Sequence, residues 1–309
     1  MNFEPHHAAS SDGTWIFWES AGAGAPAVVL CDGVGCAGYI WRRLAPELAH
    51  HHRVIHWNYR GHARSGQPAD PERVTIADAV DDLVAVLDAA GEQRAVLVGH
   101  SMGVQVVLEA HRRAPQRVAA LVLVCGSPGR PLDTFHDSPL LGAVFPWVKG
   151  LVLAVPHLVR AAFQTLLPTR LAVAIGLMIE VNQQLLPAED MQRYLSELAS
   201  VDPAVFVRTL DDAARHDATD HLPDVNVPTL VIAGERDGFT PLRRSLAMQA
   251  MIPGAEILIL PAGTHTGPLE HPELVELRLQ KFFAERLASA EAGGAAEPAL
   301  TPRVRPRVV

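Results

Sequence analysis

The chain has 309 residues, 49% of them hydrophobic, and a formal net charge of -8. That length sustains one large α/β domain with an insertion, or two small domains. The lack of a basic excess gives no sign of a nucleic-acid or anionic-membrane partner. Three cysteines, Cys31, Cys36 and Cys125, are too few and odd in number for a disulfide framework. The first residues show neither a positive segment nor an apolar one of the kind that directs secretion, so a cytoplasmic location is expected.

Residues 14–18 read as a first strand and 27–31 as an apolar second one, which runs into the glycine-rich stretch Asp32-Gly33-Val34-Gly35. A helix is expected over 41–49 and a strand over 53–57, ending at Asn58-Tyr59-Arg60-Gly61-His62. Residues 75–89 carry Ile76, Val80, Leu83, Val84 and Leu87 at helical spacing, and Gly91 ends that helix. A buried strand follows over 95–98, then Gly99-His100-Ser101-Met102-Gly103, then a helix that stops before Pro115. The next strand covers 121–124. From 130 to about 215 the alternation of strands and helices breaks off in short apolar helical stretches punctuated by Pro146, Pro156 and Pro168. Its runs at 151–156 and 171–179 fall short of the ~20 residues that cross a bilayer, so an inserted helical cap is expected. The alternation resumes with a strand at 228–234, a helix over 241–251, a strand at 256–260 and a helix over 273–288. The expected divisions are a core of 1–129 and 216–288, a cap of 130–215, and a disordered Ala/Gly/Pro/Arg-rich tail of 289–309.

Strands alternating with helices imply right-handed crossovers and a mostly parallel sheet covered on both faces, with ligands at the carboxyl ends of its strands. The candidate chemistry lies at those ends. In Gly-x-Ser-x-Gly a strand turns straight into a helix. The two glycines remove side chains that would collide, and Ser101 is left on a strained corner at a helix N-terminus. A serine hydroxyl needs a base to take its proton, and the base needs a carboxylate to orient it. After the strand at 228–234 stands Asp237, with Glu235 as its rival; after the strand at 256–260 stands His265, with His271 as its rival. Charge developing on a carbonyl oxygen needs N–H donors, for which the backbones of Met102 and Val34 are the candidates. His100 is expected to point away from Ser101, and Cys36 to be a small buried filler. The run His50-His51-His52 does not share one helix face, so no metal is expected, and no phosphate-binding glycine motif implies a nucleotide cofactor.

These stretches resemble the α/β-hydrolase fold superfamily, in its capped esterase- and lipase-like group. The resemblance covers about residues 14–288 and rests on Asp32-Gly33-Val34-Gly35 with Trp41, on 59–65, on Gly99 to Gly103, and on Asp237 and His265 with Glu270 and Pro272. The chain order Ser, Asp, His is that of the family. Two departures stand out. Asp32 precedes Gly33 where the family often has His, and Asn58 and Ala63 replace an Asp and a Gly of Asp-x-Arg-Gly-x-Gly-x-Ser. Asp32 is expected to stabilise its loop. The resemblance implies an α/β-hydrolase fold and a serine hydrolase without cofactor or metal. The bond expected is a carboxylic ester or thioester of a small-molecule substrate, apolar in its acyl or aromatic part because Leu, Val, Phe and Ala dominate the cap. C–C bond hydrolysis, lactone opening and cofactor-free perhydrolysis use the same residues and stay open. So does a non-catalytic ligand-binding protein. No nucleic acid and no stable membrane insertion are expected.

Overall fold

A computed structural model describes residues 2–133, 138–179, 186 and 188–293. Among these, eight strands form one sheet in the order β1-β2-β4-β3-β5-β6-β7-β8. They are β1 (Glu4–Ala9), β2 (Trp15–Ala21), β3 (Ala27–Cys31), β4 (Val54–Trp57), β5 (Ala95–His100), β6 (Val118–Val124), β7 (Thr229–Gly234) and β8 (Glu256–Leu260). β2 runs antiparallel to both of its neighbours, β1 and β4, and every other pairing is parallel, so the sheet is mostly parallel as expected. β1 is an addition to the expected order. It carries few residues of strand propensity. Its pairing comes from contact with β2, where the rings of His6 and His7 stack on Trp18 and Trp15 at 4.2 and 3.8 Å.

Alternation along β3 divides the core. Val29 and Cys31 face one cluster, with α2 (Ile76–Ala89), α3 (Met102–Arg113) and α9 (Leu242–Met251). Val28 and Leu30 face the other, with α1 (Leu44–Leu48) and α11 (Pro272–Gly293). All five β3 residues are buried, which is why they read as a continuous apolar run. α1 is shorter than the expected helix, because a 3-10 turn at Tyr39–Trp41 takes up its approach. α11 continues to Gly293, past the expected start of the tail; residues 294–309 lie outside the described residues.

Between β6 and β7 the described residues hold five α-helices and no strand: α4 (Leu140–Ala154), α5 (Pro156–Leu166), α6 (Arg170–Ile179), α7 (Ala188–Ser200) and α8 (Pro203–Arg215). The excursion leaves and returns at one point, where Gly129 and Asp217 form an isolated antiparallel bridge and the Ala218 N–H donates to the Pro128 carbonyl at 3.0 Å. A side chain at Gly129 would meet the Asp217 backbone at 2.6 Å, so the crossing needs glycine. α8 also reaches back to the core. Asp212 accepts the N–H of Ile76 at 2.7 Å, adding to the capping box that Thr75 and Asp78 build at the start of α2. No single helix among the described residues is long and apolar enough to cross a membrane.

Candidate active site

Ser101 sits between β5 and α3 with φ 56° and ψ -119°, a conformation costly for a residue with a side chain. Close packing maintains it. A Cβ on Gly99 would lie 2.3 Å from the Gly103 carbonyl oxygen, and a Cβ on Gly103 would lie 2.4 Å from that of Cys31. The two glycines thus let α3 start directly over the ends of β5 and β3.

The structure brings the three sequence-predicted residues together. His265 Nε2 is 2.9 Å from Ser101 Oγ, and His265 Nδ1 is 3.0 and 3.2 Å from the two carboxylate oxygens of Asp237. With Asp237 as acceptor, Nδ1 carries the proton and Nε2 presents its lone pair to the serine. Asp237 is buried and also accepts the N–H groups of Phe239 and Thr240 and the Thr240 hydroxyl, at 2.9, 2.8 and 2.7 Å. Burial pushes its carboxyl pKa up, but His265 and these donors outweigh burial and hold it below the ordinary value. The rivals lie elsewhere. Glu235 is exposed and accepts the Ala262 N–H at 2.7 Å, while His271 stands against Gly263.

Gly33 lies directly on the serine: a Cβ there would be 3.1 Å from Ser101 Cβ and 3.5 Å from its Oγ. Val34 and Met102 both border the cavity above Ser101. Asp32 is buried beneath this loop, with Oδ2 2.8 Å from His56 Nε2 and its carbonyl accepting the Tyr59 hydroxyl at 2.8 Å. Burial alone would lower the His56 pKa, but Asp32 and Glu19 push it up to about 10. Asn58, in place of the family's Asp, accepts the Arg64 N–H through Oδ1 at 3.3 Å, and Ala63 adopts φ 42° where glycine is usual. Both departures are accommodated within their loops.

The His56 cation has a consequence for stability. Its folded pKa exceeds the ordinary 6.5, so its contribution is complete below about pH 6.5 and is lost as pH rises through 10. Unfolding free energy should fall by up to about 1.4 kcal/mol per pH unit within that window. In His56→Gln, urea titrations should show a flatter pH dependence there. An equal slope in both proteins would remove His56 from this role.

Three supporting residues, His100, Glu270 and Glu197, have partners that the sequence did not indicate. His100 does not point away. It borders the cavity, its ring centroid is 5.0 Å from that of His265, and its Nε2 donates to the His265 carbonyl at 2.9 Å. Burial, then repulsion from His265, lowers its pKa to about 3, so it is a neutral donor that fixes the backbone of His265. Glu270, which ends the short α10 (Gly267–Glu270), is buried under the same loop. It accepts the Thr264 N–H and the Thr264 hydroxyl, both at 2.6 Å. Glu197 of α7 accepts the Ala37 N–H at 2.8 Å, tying the inserted helices to the Gly33 loop. Burial raises the Glu197 pKa, opposed by the Ala37 N–H and reinforced by the charge of Asp32. Cys36 is buried as expected and borders the cavity. Its neighbours on the loop receive the inserted helices, with Leu198 and Phe206 over Gly35. Among the described residues no group of three His, Cys, Asp or Glu side chains is arranged to hold a metal ion.

The cavity above Ser101 has a volume of about 250 Å³. Its roof and walls come largely from the inserted helices and the segment leading into them, with Leu132, Leu141, Met191, Leu195, Phe206 and Leu210 among the lining side chains. A mostly parallel sheet with a serine, histidine and aspartate in contact at its carboxyl end defines a hydrolase of the α/β class.

The chain belongs to the α/β-hydrolase fold family, whose model matches residues 26–272. It is 29% identical over 281 residues to a putative carbamate hydrolase, RutD, of Azorhizobium caulinodans, covering 90% of this chain and 97% of that protein. It is 32% identical over 278 residues to the polyketide synthase ThaQ of Burkholderia thailandensis, covering 89% of this chain but only 12% of ThaQ. Among solved structures, a hydrolase from Pseudomonas aeruginosa superposes with a TM-score of 0.75 at 26% identity, covering 91% of this chain and 98% of that one.

Proposed function

We propose that this hydrolase cleaves a carboxylic ester or thioester with an apolar acyl or aromatic part, through an acyl-enzyme on Ser101. The observation that carries the reading is the unbroken contact from Ser101 Oγ to His265 Nε2 at 2.9 Å and from His265 Nδ1 to Asp237 at 3.0 Å, at the floor of an apolar cavity. Ser101 Oγ attacks the carbonyl carbon while His265 takes its proton. Asp237 holds the imidazole in the required tautomer and stabilises the imidazolium. The oxyanion rests on the backbone N–H groups of Met102 and Val34. His265 then protonates the departing alcohol or thiol, and a water activated by the same histidine releases the acid. Residues 130–215 act as the cap that sets acyl specificity, through Leu141, Met191 and Phe206. The apolar lining supports an ester with an apolar acyl or aromatic part, and the name of the RutD relative, a putative carbamate hydrolase, marks a carbamate as the competing bond. Three buried, unpaired cysteines suit a reducing compartment, in keeping with a cytoplasmic location.

The test is turnover of p-nitrophenyl esters from acetate to decanoate by the wild type and Ser101→Ala, with fluorophosphonate labelling alongside. The expected result is an optimum at a medium chain, a silent variant and labelling at Ser101 only. Labelling without turnover of any ester would move the same residues to lactone, C–C or peracid chemistry. Absence of both would overturn the enzymatic reading.

A further inference from the structure

Stabilising an oxyanion requires N–H donors that are held in place before the charge develops. On the hydrolase reading above, the Val34 N–H is such a donor, and its own loop is ill suited to hold it. Gly33, Gly35 and Gly38 follow one another closely, the last two at φ 75° and 99°, so the backbone keeps a freedom that side chains would remove. The restraint comes from both sides of the loop. On the side of the sheet, a Cβ at Gly38 would lie 2.9 Å from the ring of His56, the partner of Asp32. On the other side lies α7 of the inserted helices.

α7 meets the stretch from Gly35 to Arg43 through four side chains. Glu197 accepts the Ala37 N–H at 2.8 Å, and the Tyr39 N–H also bonds to it. Leu198 covers Gly35, where a Cβ would lie 2.8 Å from its Cδ1. The rings of Tyr194 and Tyr39 have their centres 5.0 Å apart. Asp190, fully buried, pairs with Arg42 and Arg43. Residues 190, 194, 197 and 198 stand at helical spacings of three and four, so one face of α7 makes all of these contacts. Glu197 differs from the rest because it binds main-chain N–H groups and so fixes the backbone itself. The Cys36 N–H donates to the Gly33 carbonyl at 3.3 Å, and this turn carries the restraint from Ala37 back around Val34. Burial raises the Glu197 pKa while the N–H groups oppose it, so a charge is desolvated where an apolar side chain would pack at less cost. Glu197 borders a cleft shared with Glu19, His56 and Arg193, not the cavity over Ser101.

We infer that α7 belongs to the machinery that presents the oxyanion donors, with Glu197 as the positioning residue for the loop that carries Val34. This role rests on the hydrolase reading above and gives the inserted helices a task beyond lining the cavity. Ser101, His265 and Asp237 are placed by the sheet and its loops alone. The Val34 N–H is placed only when the insertion is seated on residues 35–43. Because Glu197 stands behind the loop, its loss acts on the transition state and leaves substrate affinity in place.

The experiment compares Glu197→Met and Glu197→Gln with the wild type on the best p-nitrophenyl ester. Both variants keep the bulk of the side chain, and only glutamine keeps an oxygen for the Ala37 N–H. Glu197→Met should lower kcat about 10- to 100-fold with KM within about threefold of the wild type. Inhibition by an alkyl trifluoromethyl ketone, whose adduct with serine places an oxyanion in the hole, should weaken by a similar factor. Glu197→Gln should keep kcat within about threefold of the wild type. Amide hydrogen exchange over residues 33–39 should quicken in Glu197→Met and not in Glu197→Gln, while the strands stay protected. A Glu197→Met enzyme with the kcat of the wild type overturns the inference. So does an equal loss in both variants, or a raised KM at unchanged kcat. Should the wild type turn over no ester, the hydrolase reading fails separately. Faster exchange in Glu197→Met would then still support Glu197 as the residue that holds the loop, and equal exchange would overturn it.

Discussion

His265→Gln is expected to lower kcat on the best p-nitrophenyl ester by about 10⁴-fold or more, with KM changed little. The split follows from the geometry. On the proposed reading substrate affinity comes from the apolar side chains that line the cavity, and glutamine at 265 leaves those in place. The lost function is acceptance of the Ser101 proton, for which Nε2 stands 2.9 Å from Oγ. An amide nitrogen has no lone pair to offer, so the serine stays protonated and a poor nucleophile. Asp237→Asn should cost a similar factor for another reason. The asparagine would have to accept the Phe239 and Thr240 N–H groups through its one oxygen. Its NH₂ would then face Nδ1 and drive the imidazole proton to Nε2. That tautomer presents N–H, not a lone pair, to the serine. The double variant should be no slower than about threefold below the weaker single one, because the residues act as one unit. Steady-state kinetics with both singles and the double decide this. A His265→Gln enzyme within tenfold of the wild type would remove His265 as the base, and multiplicative losses would show that Asp237 acts independently of it.

The sequence revealed most of what depends on local pattern. The parallel strands are apolar runs because both faces are covered, and α2 has its apolar residues at helical spacing with a Thr75 cap. Ser101, Asp237 and His265 are legible because each follows a strand, and strand ends in a parallel sheet lie together. What remains hidden depends on pairings distant in sequence. β1 forms only because β2 offers it a partner. His100 is a neighbour of the serine in sequence, yet its bond goes to a carbonyl 165 residues away. Nothing in a lone Glu within α7 signals that it reaches Ala37, 160 residues earlier. The role expected for Asp32 is the right kind, but its partner His56, held positive inside the protein, has no local signature. In sequence the apolar residues of 140–171 all read alike, as parts of a cap. Only the three-dimensional arrangement separates Phe145 and Val152, which line the interior, from Trp147 and Leu151, which do not.

Gly103→Ala should destabilise the fold by several kcal/mol, about 3 or more, and abolish turnover in whatever remains folded. On helix propensity alone the change is favourable: Gly103 lies within α3, and alanine gains about 1 kcal/mol over glycine in a helix interior. Sterics decide the sign. The new Cβ would stand 2.4 Å from the Cys31 carbonyl oxygen and 2.8 Å from that of Asp32. Both are backbone atoms, at the end of β3 and the start of the loop carrying Gly33 and Val34, so no side chain can swing aside to relieve the clash. Either α3 lifts from the sheet or the loop retreats, and both movements separate Ser101 from Gly33, which packs so close that a Cβ there would lie 3.1 Å from Ser101 Cβ. Gly150→Ala is the control. Gly150 lies in α4, is exposed, and has nothing within 4 Å of an added methyl, so the variant should gain about 0.5–1 kcal/mol. Urea denaturation of the two variants beside the wild type should therefore move the midpoint in opposite directions. A Gly103→Ala protein as stable and active as the wild type would mean that α3 does not start directly over β3, and the positioning of Ser101 described above would have to be abandoned.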